Sequence, residues 1–159
     1  MVLILMACLI VALSAPAVSA GELTGRACIV DGATLMLGGK RRHTKCEGGK
    51  LIQLWGVTAF GLKQRCQHPG GRDVMCGLYS AAQLQEKVKT QEIRCEEKAT
   101  KFGGIIVAEC FLGEDNLNRY MVENGYALAD GKTTERFTGY EAQAKAQRRG
   151  LWVTTFKRP

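Results

Sequence analysis

The sequence predicts an α+β fold that is mainly β, built from five short strands and three helices. Three runs of strand character occupy the first third of the chain, and apolar residues at helical spacing follow near residue 77. Two further strand runs then precede two helical segments. Five strands with a helix between the third and the fourth is the order of an OB-fold barrel, although periodicity alone leaves other α+β folds open.

The first three strands are predicted between residues 23 and 57. An Asp31-Gly32 turn separates the first two, and a polar loop over residues 38–49 separates the second from the third. Residues 59–75 hold Pro69-Gly70-Gly71 and show no periodicity, so they are predicted to be loop. The three strand runs are Ala27–Val30, Thr34–Leu37 and Leu51–Val57.

The second half of the chain alternates helices and strands. A helix over residues 77–90 is predicted from one apolar face, formed by Leu78, Ala81, Leu84 and Val88. The last helix is predicted to begin with the capping-box pattern Thr138-x-x-Glu141 and to end at Gly150. Between these helices we expect strands over residues 92–96 and 104–112 and a short helix over residues 116–124.

The first twenty residues are set apart by their composition. Met1–Leu13 is almost entirely apolar, and the small residues that follow end in an Ala-x-Ala type site at Ala20. We therefore predict a signal peptide over residues 1–20, a mature domain over residues 21–159, and a periplasmic or secreted location without a membrane span after cleavage. The rival interpretation, an uncleaved anchor, is disfavoured because Pro16 interrupts the run.

The cysteine count changes with this cleavage. The chain has seven cysteines, and six remain once Cys8 leaves with the signal peptide. An even number in an exported chain indicates disulfides, although many pairings are possible. Zinc is the alternative, because His43-x2-Cys46 and Cys66-x-His68 resemble ligand pairs, but the chain has no CxxC spacing. Disulfides are therefore predicted at Cys28, Cys46, Cys66, Cys76, Cys95 and Cys110.

Five segments of the chain carry a family resemblance when they are taken in order. Together they resemble the staphylococcal nuclease (thermonuclease) family from about residue 24 to residue 156, and Cys66, Cys76, Cys95 and Cys110 also resemble cysteines of exported bacterial members. The resemblance implies an OB-fold five-stranded β-barrel with three helices, of the staphylococcal nuclease type. The segments are Val30–Thr34, Ile52–Ala59, Lys101–Gly104, Leu117–Ala127, and Tyr140–Lys145 followed by Gly150-Leu151-Trp152.

The sequence departs from this family at the catalytic positions. The family cleaves phosphodiesters with a Ca²⁺ ion, a carboxylate that directs water and two arginines on the phosphate. Ala33 and Thr58 stand where the resemblance places calcium carboxylates, and Gly61 stands where it places the water-directing glutamate. Gln53 and Gly104 stand where it places the arginines. These five residues are called the matched positions below.

Such changes remove the groups on which the family's chemistry depends. Ca²⁺ needs several hard oxygen ligands, and phosphoryl transfer depends on positioning and on stabilising negative charge. Asp31 and Lys101 remain near these positions, but they do not replace the missing groups. The resemblance therefore predicts a catalytically inactive homologue without a cofactor, and Ca²⁺ is expected only if the chain holds an unusual nuclease site.

Charge favours an anionic partner. The chain carries 22 Lys and Arg against 15 Asp and Glu, a formal net charge of +7. Such a balance is typical of proteins that bind nucleic acid, acidic polysaccharide or a membrane surface, and it also serves solubility. The densest positive charge lies in the loop over residues 38–49. Its cations are Lys40, Arg41, Arg42 and Lys45.

We predict that this loop, together with Lys101, contacts a polyanion; the alternative is a solvated turn, since no aromatic residue is interleaved to stack bases. At about 3.3 Å per residue, the loop is expected roughly 15 Å from the catalytic positions.

Three functions follow from these observations. The first is an inactive binding or interaction module of the cell envelope, with a polyanion or an envelope protein as partner. The second is a Ca²⁺-dependent nuclease with an unusual site. The third is an accessory protein linked to exopolysaccharide, with an acidic polysaccharide as partner.

The predicted element order also suggests how the cysteines pair. Cys95 and Cys110 fall on successive strands that should form an antiparallel hairpin, within disulfide reach of each other. Cys66 and Cys76 bracket the loop that leads into the first helix. Cys28 and Cys46 then remain for each other, a pairing that depends partly on elimination.

Overall fold

A computed structural model describes residues 21–159; the predicted signal peptide and Cys8 lie outside the described residues. The described chain forms twelve strands, many of only two or three residues, and three α-helices. The first half contains β1 (Glu22–Ile29), β2 (Thr34–Leu37), β3 (Lys40–Arg42), β4 (Lys45–Glu47), β5 (Lys50–Leu54), β6 (Val57–Thr58), β7 (Cys66–Gln67), β8 (Asp73–Val74) and α1 (Cys76–Val88). The second half contains β9 (Glu92–Lys101), β10 (Ile105–Leu112), β11 (Asp115–Asn116), α2 (Leu117–Glu123), β12 (Leu128–Ala129) and α3 (Thr138–Ala146).

Five of these strands close into a barrel. The main sheet runs in the order β11-β10-β5-β2-β1-β9, and an additional pairing of β9 with β10 closes it. The pair β5–β10 is parallel and the other barrel pairs are antiparallel. The fold is therefore a closed, mixed five-stranded barrel with three helices, and the predicted OB-fold architecture is confirmed.

The interior of the barrel is filled by alternate residues of its strands. Leu35 and Leu37 of β2 are buried while the alternate residues Thr34 and Met36 are half-buried, as expected of strands with one face on the core. The first two helices contribute to this core, which removes apolar surface from water at about 25 cal/mol per Å². Their fully buried side chains include Leu84, Val88, Leu117, Met121 and Val122.

The predicted apolar face of α1 is partly wrong. Leu84 and Val88 are buried as expected, but Leu78 is 51% exposed and Ser80 is buried in its place. The cause is a close approach of α1 to the turn after β1: a Cβ built on Gly32 would lie 1.7 Å from Ser80 Oγ. Only a small side chain fits at that contact, so the helix is rotated away from the face that its leucines alone predict.

The last helix begins at Thr138 as predicted, but the predicted capping box and the predicted end at Gly150 are wrong. Thr138 Oγ1 donates a hydrogen bond back to the Glu135 carbonyl, and it makes no cap bond. Glu141 does not bond to the helix start, because its Oε2 accepts the N–H of Ala129 at 2.6 Å. This carboxylate therefore joins α3 to β12. The helix ends at Ala146, and residues 150–153 form a separate 3-10 turn.

Two predicted loops contain short strands. Within residues 38–49, β3 and β4 pair antiparallel and form what we call the basic ribbon, residues 40–47. Within residues 59–75, β7 and β8 form a two-residue hairpin. The basic ribbon is exposed on both faces apart from Cys46, which is half-buried, so it has no alternation of apolar and polar residues from which strands are predicted.

Three disulfides link these elements, and they are the three pairs that the element order suggested. Cys95 and Cys110 face each other across β9 and β10. Cys66 is joined to Cys76 at the start of α1, and Cys28 of β1 is joined to Cys46 of the basic ribbon. Disulfides of this kind persist in oxidising compartments.

Candidate functional site

The turn between β1 and β2 holds the first matched position. Ala33 is only 2% exposed, and its carbonyl accepts the N–H of Leu54 at 2.8 Å. Asp31 Oδ1 accepts the N–H of Ala33 at 2.8 Å, which is the local turn bond that aspartate commonly makes two residues on. The Asp31 carboxylate therefore stabilises the β1–β2 turn in which it lies.

Gln53 and Lys101 are brought into direct contact. Lys101 Nζ donates to Gln53 Oε1 at 2.7 Å, across 48 residues of sequence. Gln53 lies opposite Thr34 of β2 and opposite Val107 of β10, so it stands in the middle of the sheet near the β1–β2 turn. At Gln53, where the resemblance predicts a cation, an amide oxygen thus accepts a hydrogen bond from the nearby Lys101.

Both side chains border a small cavity of about 130 Å³, whose wall includes a second aspartate, Asp130. Asp130 Oδ2 accepts from Thr133 Oγ1 at 2.5 Å and its Oδ1 accepts from the N–H of Lys132 at 3.1 Å. The hydrogen bond from Thr133 is the main cause that lowers the pKa of Asp130, with burial acting in the opposite direction. Sequence reasoning did not select Asp130, because it lies in an irregular segment far along the chain from the matched positions.

The other matched positions have backbone roles. Thr58 lies in β6, which pairs with β12. Gly61 is exposed, and its carbonyl lies so close to Gly77 that a Cβ there would be 1.9 Å from it. Gly104 lies in the turn between β9 and β10, with a φ of 75° and open space around it. The structure therefore joins the side chains of Gln53 and Lys101, and the Gly104 N–H donates to the Lys101 carbonyl at 3.1 Å within the β9–β10 turn. Among the described residues, no hydrogen bond joins Thr58 or Gly61 to that pair.

The residues at this end of the barrel do not fit a Ca²⁺ ion. Calcium takes six to eight oxygen ligands, in which carboxylates supply most of the charge. Ala33 offers no side-chain oxygen, Thr58 offers a neutral hydroxyl, and Asp31 already accepts a backbone hydrogen bond. Within residues 21–159, no group of three or more His, Cys, Asp and Glu side chains is arranged to hold a metal ion. We therefore derive no catalytic step through calcium.

The basic ribbon has one anchored cation and three that face solvent. Arg41 Nη2 donates to the Ile29 carbonyl at 2.5 Å, which fastens the ribbon to the end of β1. Arg42 Nε lies 3.6 Å from Glu47, and both side chains are more than half exposed. Lys40 and Lys45 are exposed and form no ion pair within the described part of the chain.

This anchoring changes the expected position of the ribbon. Together with the Cys28–Cys46 disulfide, it folds the ribbon back along β1. Arg41 thereby reaches a residue that is only two positions before Asp31, closer to the β1–β2 turn than a straight extension of the strands predicts. The zinc alternative is wrong for these cysteines, because the sulfurs of Cys46 and Cys66 are both in disulfides.

A buried carboxylate outside the matched positions was also missed. Glu109 of β10 is 2% exposed, and its oxygens contact Asn116 Nδ2 at 2.5 Å and Arg136 Nη1 at 2.9 Å. Lys98 Nζ lies 3.4 Å away. A buried charge that is paired and hydrogen-bonded in this way connects the barrel to the helical side, which is a structural role. The sequence feature that indicates a buried carboxylate here is the position of Glu109 within an apolar strand.

The fold and these contacts define the chain as an OB-fold barrel of the nuclease type. The family model described as "Staphylococcal nuclease homologue" matches residues 62–154. Since this span covers more than half of the chain, the chain belongs to the staphylococcal nuclease homologue family. The span includes Lys101 and Gly104, whereas the other four matched positions lie before it.

A curated relative gives a second comparison. The "Succinoglycan biosynthesis protein ExoI" of Rhizobium meliloti (strain 1021) is 28% identical over 137 residues. The aligned region covers 84% of this chain and 66% of that protein, so the chain spans just under two thirds of the relative's length. None of the helices within residues 21–159 reaches the length and hydropathy that a membrane span requires.

Proposed function

We propose that this chain is an exported, catalytically inactive member of the nuclease family that binds polyanions through its basic ribbon. One observation carries the loss of catalysis. All five matched positions lack the charged group of the family's mechanism, and the neighbouring Lys101 is bonded to Gln53 rather than to a carboxylate. Removing one charge-stabilising donor from an enzyme costs about 10² to 10³ in rate, and here several are missing together.

The binding role is supported by the exposed charge of the ribbon. Lys40, Arg42 and Lys45 are directed to solvent on a ribbon that Arg41 and a disulfide hold in place. Cations held on a rigid support lose less conformational entropy when a ligand binds than cations on a mobile loop. Because no aromatic side chain lies within the ribbon, we expect contacts to phosphates or carboxylates and little preference among bases.

Export is part of the same proposal. The predicted signal peptide would direct the chain out of the cytoplasm, and three disulfides are typical of small domains that fold in an oxidising compartment. The partners available there include extracellular nucleic acid, acidic polysaccharide and proteins of the envelope.

The comparison with the curated relative favours a second, narrower candidate, an accessory role linked to exopolysaccharide. The relative is named for succinoglycan biosynthesis, and this chain aligns with about two thirds of it. In that case the ligand of the ribbon is a polysaccharide that carries carboxylate or other acidic groups. Both candidates use the same cations, and they differ in the ligand.

A binding screen tests the proposal. Fluorescently labelled single-stranded DNA, RNA and an acidic polysaccharide are titrated with the mature protein at low and at moderate salt, with and without Ca²⁺. We expect saturable binding of at least one ligand, weaker at higher salt, unaffected by Ca²⁺, with the ligand recovered at its original length. Failure to bind any of the three at low salt would contradict the binding role, and shortened nucleic acid would favour the unusual nuclease.

A further inference from the structure

A groove separates the basic ribbon from α1. It has a volume of about 300 Å³, which is at the lower end of the range for specific ligand sites. Two of its lining residues, Leu62 and Leu78, are 41% and 51% exposed, and they belong to a group of only four large apolar side chains that are exposed within residues 21–159. We call this cavity the ribbon groove. The wall on the other side holds Arg41 and Thr44.

The helix contributes a second stripe of side chains to this groove. Leu78, Ala81, Ala82 and Gln85 line it, at spacings of three and four residues that place them on one side of α1. The core face of the same helix is formed mainly by Ser80, Leu84 and Val88, and Ala81 lies at its edge, where it packs against the core and also borders the groove. Leu78 and Ala82 are exposed, so beside its core face the helix presents apolar side chains to the open groove that a partner can cover.

Both walls of the groove are held by disulfides. Cys28–Cys46 and the bond from Arg41 to the Ile29 carbonyl fix the ribbon wall. Cys66–Cys76 ties the loop after Leu62 to the first residue of α1. A groove that is formed before its ligand arrives binds at a lower entropic cost than one that must be ordered.

The residues that line the ribbon groove favour a partner that is apolar and negatively charged. The nine lining residues include one cation, Arg41, and no carboxylate, and the adjoining ribbon and loop carry exposed cations such as Lys45 and Lys63. We propose that the ribbon groove binds a short segment of another protein that combines aliphatic side chains with Asp or Glu. The aliphatic side chains contact Leu62, Leu78 and Ala81, and the carboxylates face the cations at the rim.

The shape and composition of the groove favour a peptide segment over two other ligands, a saccharide and a membrane surface. Saccharides are commonly bound against aromatic rings, and no aromatic residue lines this groove. A membrane surface is contacted by apolar side chains that project outward, whereas these leucines border a concave space. This inference goes beyond the proposed polyanion function, which uses the outer cations of the ribbon and does not require the groove.

Selection from a library of short random peptides displayed on phage tests the inference. We expect the enriched peptides to combine Leu, Ile, Val or Met with Asp or Glu. The double variant Leu62→Ser, Leu78→Ser should bind these peptides at least about tenfold more weakly, as expected when apolar anchors at the centre of an interface are removed. The matched control is Phe102→Ser, which removes a fully exposed apolar side chain on the turn between β9 and β10 and should leave peptide affinity unchanged.

Two measurements keep the test decisive. Near-ultraviolet circular dichroism verifies that the double variant is folded, and amide chemical shifts of the unaltered protein should change at α1 and at the ribbon when a selected peptide is added. Enriched peptides without acidic residues, equal affinity of the double variant, or shift changes elsewhere would overturn the inference. So would leucine-dependent binding to anionic vesicles without peptide binding. Polyanion binding should be the same in the double variant, so this proposal and the proposed function fail separately.

Discussion

Replacing the three outward cations of the basic ribbon removes most of its positive charge and leaves its structure intact. The substitutions are Lys40→Ala, Arg42→Ala and Lys45→Ala. None of these side chains holds the ribbon in place, since that role belongs to Arg41 and to the Cys28–Cys46 disulfide. The ion pair that is lost, Arg42 with Glu47, joins two side chains that are 71% and 57% exposed. Exposed pairs of this kind contribute little to stability, so the variant should fold like the parent protein.

The magnitude of the effect follows from counterion release. Each phosphate that a cation neutralises on a single strand contributes about −0.7 to the slope of log affinity against log salt. Glu47 partly offsets Arg42, so the three substitutions should make the slope shallower by about 2. A fourfold rise in salt should then weaken the parent's binding by a factor about 16 times larger than the factor by which it weakens the variant's.

Fluorescence anisotropy over a salt series measures this slope with labelled single-stranded DNA and with an acidic polysaccharide. The control variant Lys132→Ala, Lys145→Ala, Lys157→Ala removes three exposed cations outside the ribbon. Both variants have a formal net charge of +4, from +7 minus 3, so a difference between them reports position and not total charge. An unchanged slope in the ribbon variant, or an equal change in both variants, would refute the reasoning.

Three further predictions concern stability and titration. Asn118→Ala should lower the free energy of unfolding by about 3 kcal/mol in a denaturant titration, because this buried amide bonds the Cys110 N–H at 2.9 Å and the Trp55 and Ala108 carbonyls at 2.8 and 3.2 Å. Replacing Cys28 and Cys46 together by Ala should cost about 3 kcal/mol, the chain-entropy value for a disulfide with this sequence separation of 18, measured in the same way. Thr133→Val should raise the pKa of Asp130 toward its ordinary value, as measured by a carboxyl NMR titration, because it removes the hydrogen bond that lowers this pKa. Since the pKa is lowered in the folded protein, the stability that the ionised Asp130 contributes is present above the unfolded pKa, near 3.9. That stability is lost as the pH falls through the folded value.

The barrel was predictable because its strands alternate toward one core. Thr34–Leu37 was predicted with its observed bounds, and Cys95 could be paired with Cys110 because successive strands form a hairpin. The basic ribbon was not predictable from pattern, since its residues are exposed on both faces and a disulfide and Arg41 hold it. The sequence of residues 40–47 alone does not indicate that contacts with β1 hold them as strands.

Contacts between distant residues account for the other differences. The rotation of α1 that buries Ser80 and exposes Leu78 results from its approach to Gly32, almost fifty residues earlier in the chain. The bond between Gln53 and Lys101 likewise depends on the closure of the barrel. The resemblance indicated which residues stand at the catalytic positions, but it gave no indication that Asp130 borders the cavity beside Gln53 and Lys101.

The central claim is that this chain binds polyanions without cleaving them, and a hydrolysis assay tests it most directly. Purified mature protein is incubated with single-stranded DNA and RNA in Ca²⁺ and in chelator, beside the variants Asp31→Asn and Asp130→Asn. These variants remove the carboxylate that bonds the Ala33 N–H and the carboxylate at the cavity beside Gln53 and Lys101. The account predicts no chelator-sensitive shortening of either substrate by any of the three proteins. Calcium-dependent cleavage by the unaltered chain that either variant abolishes would assign the activity to this site and would contradict the account.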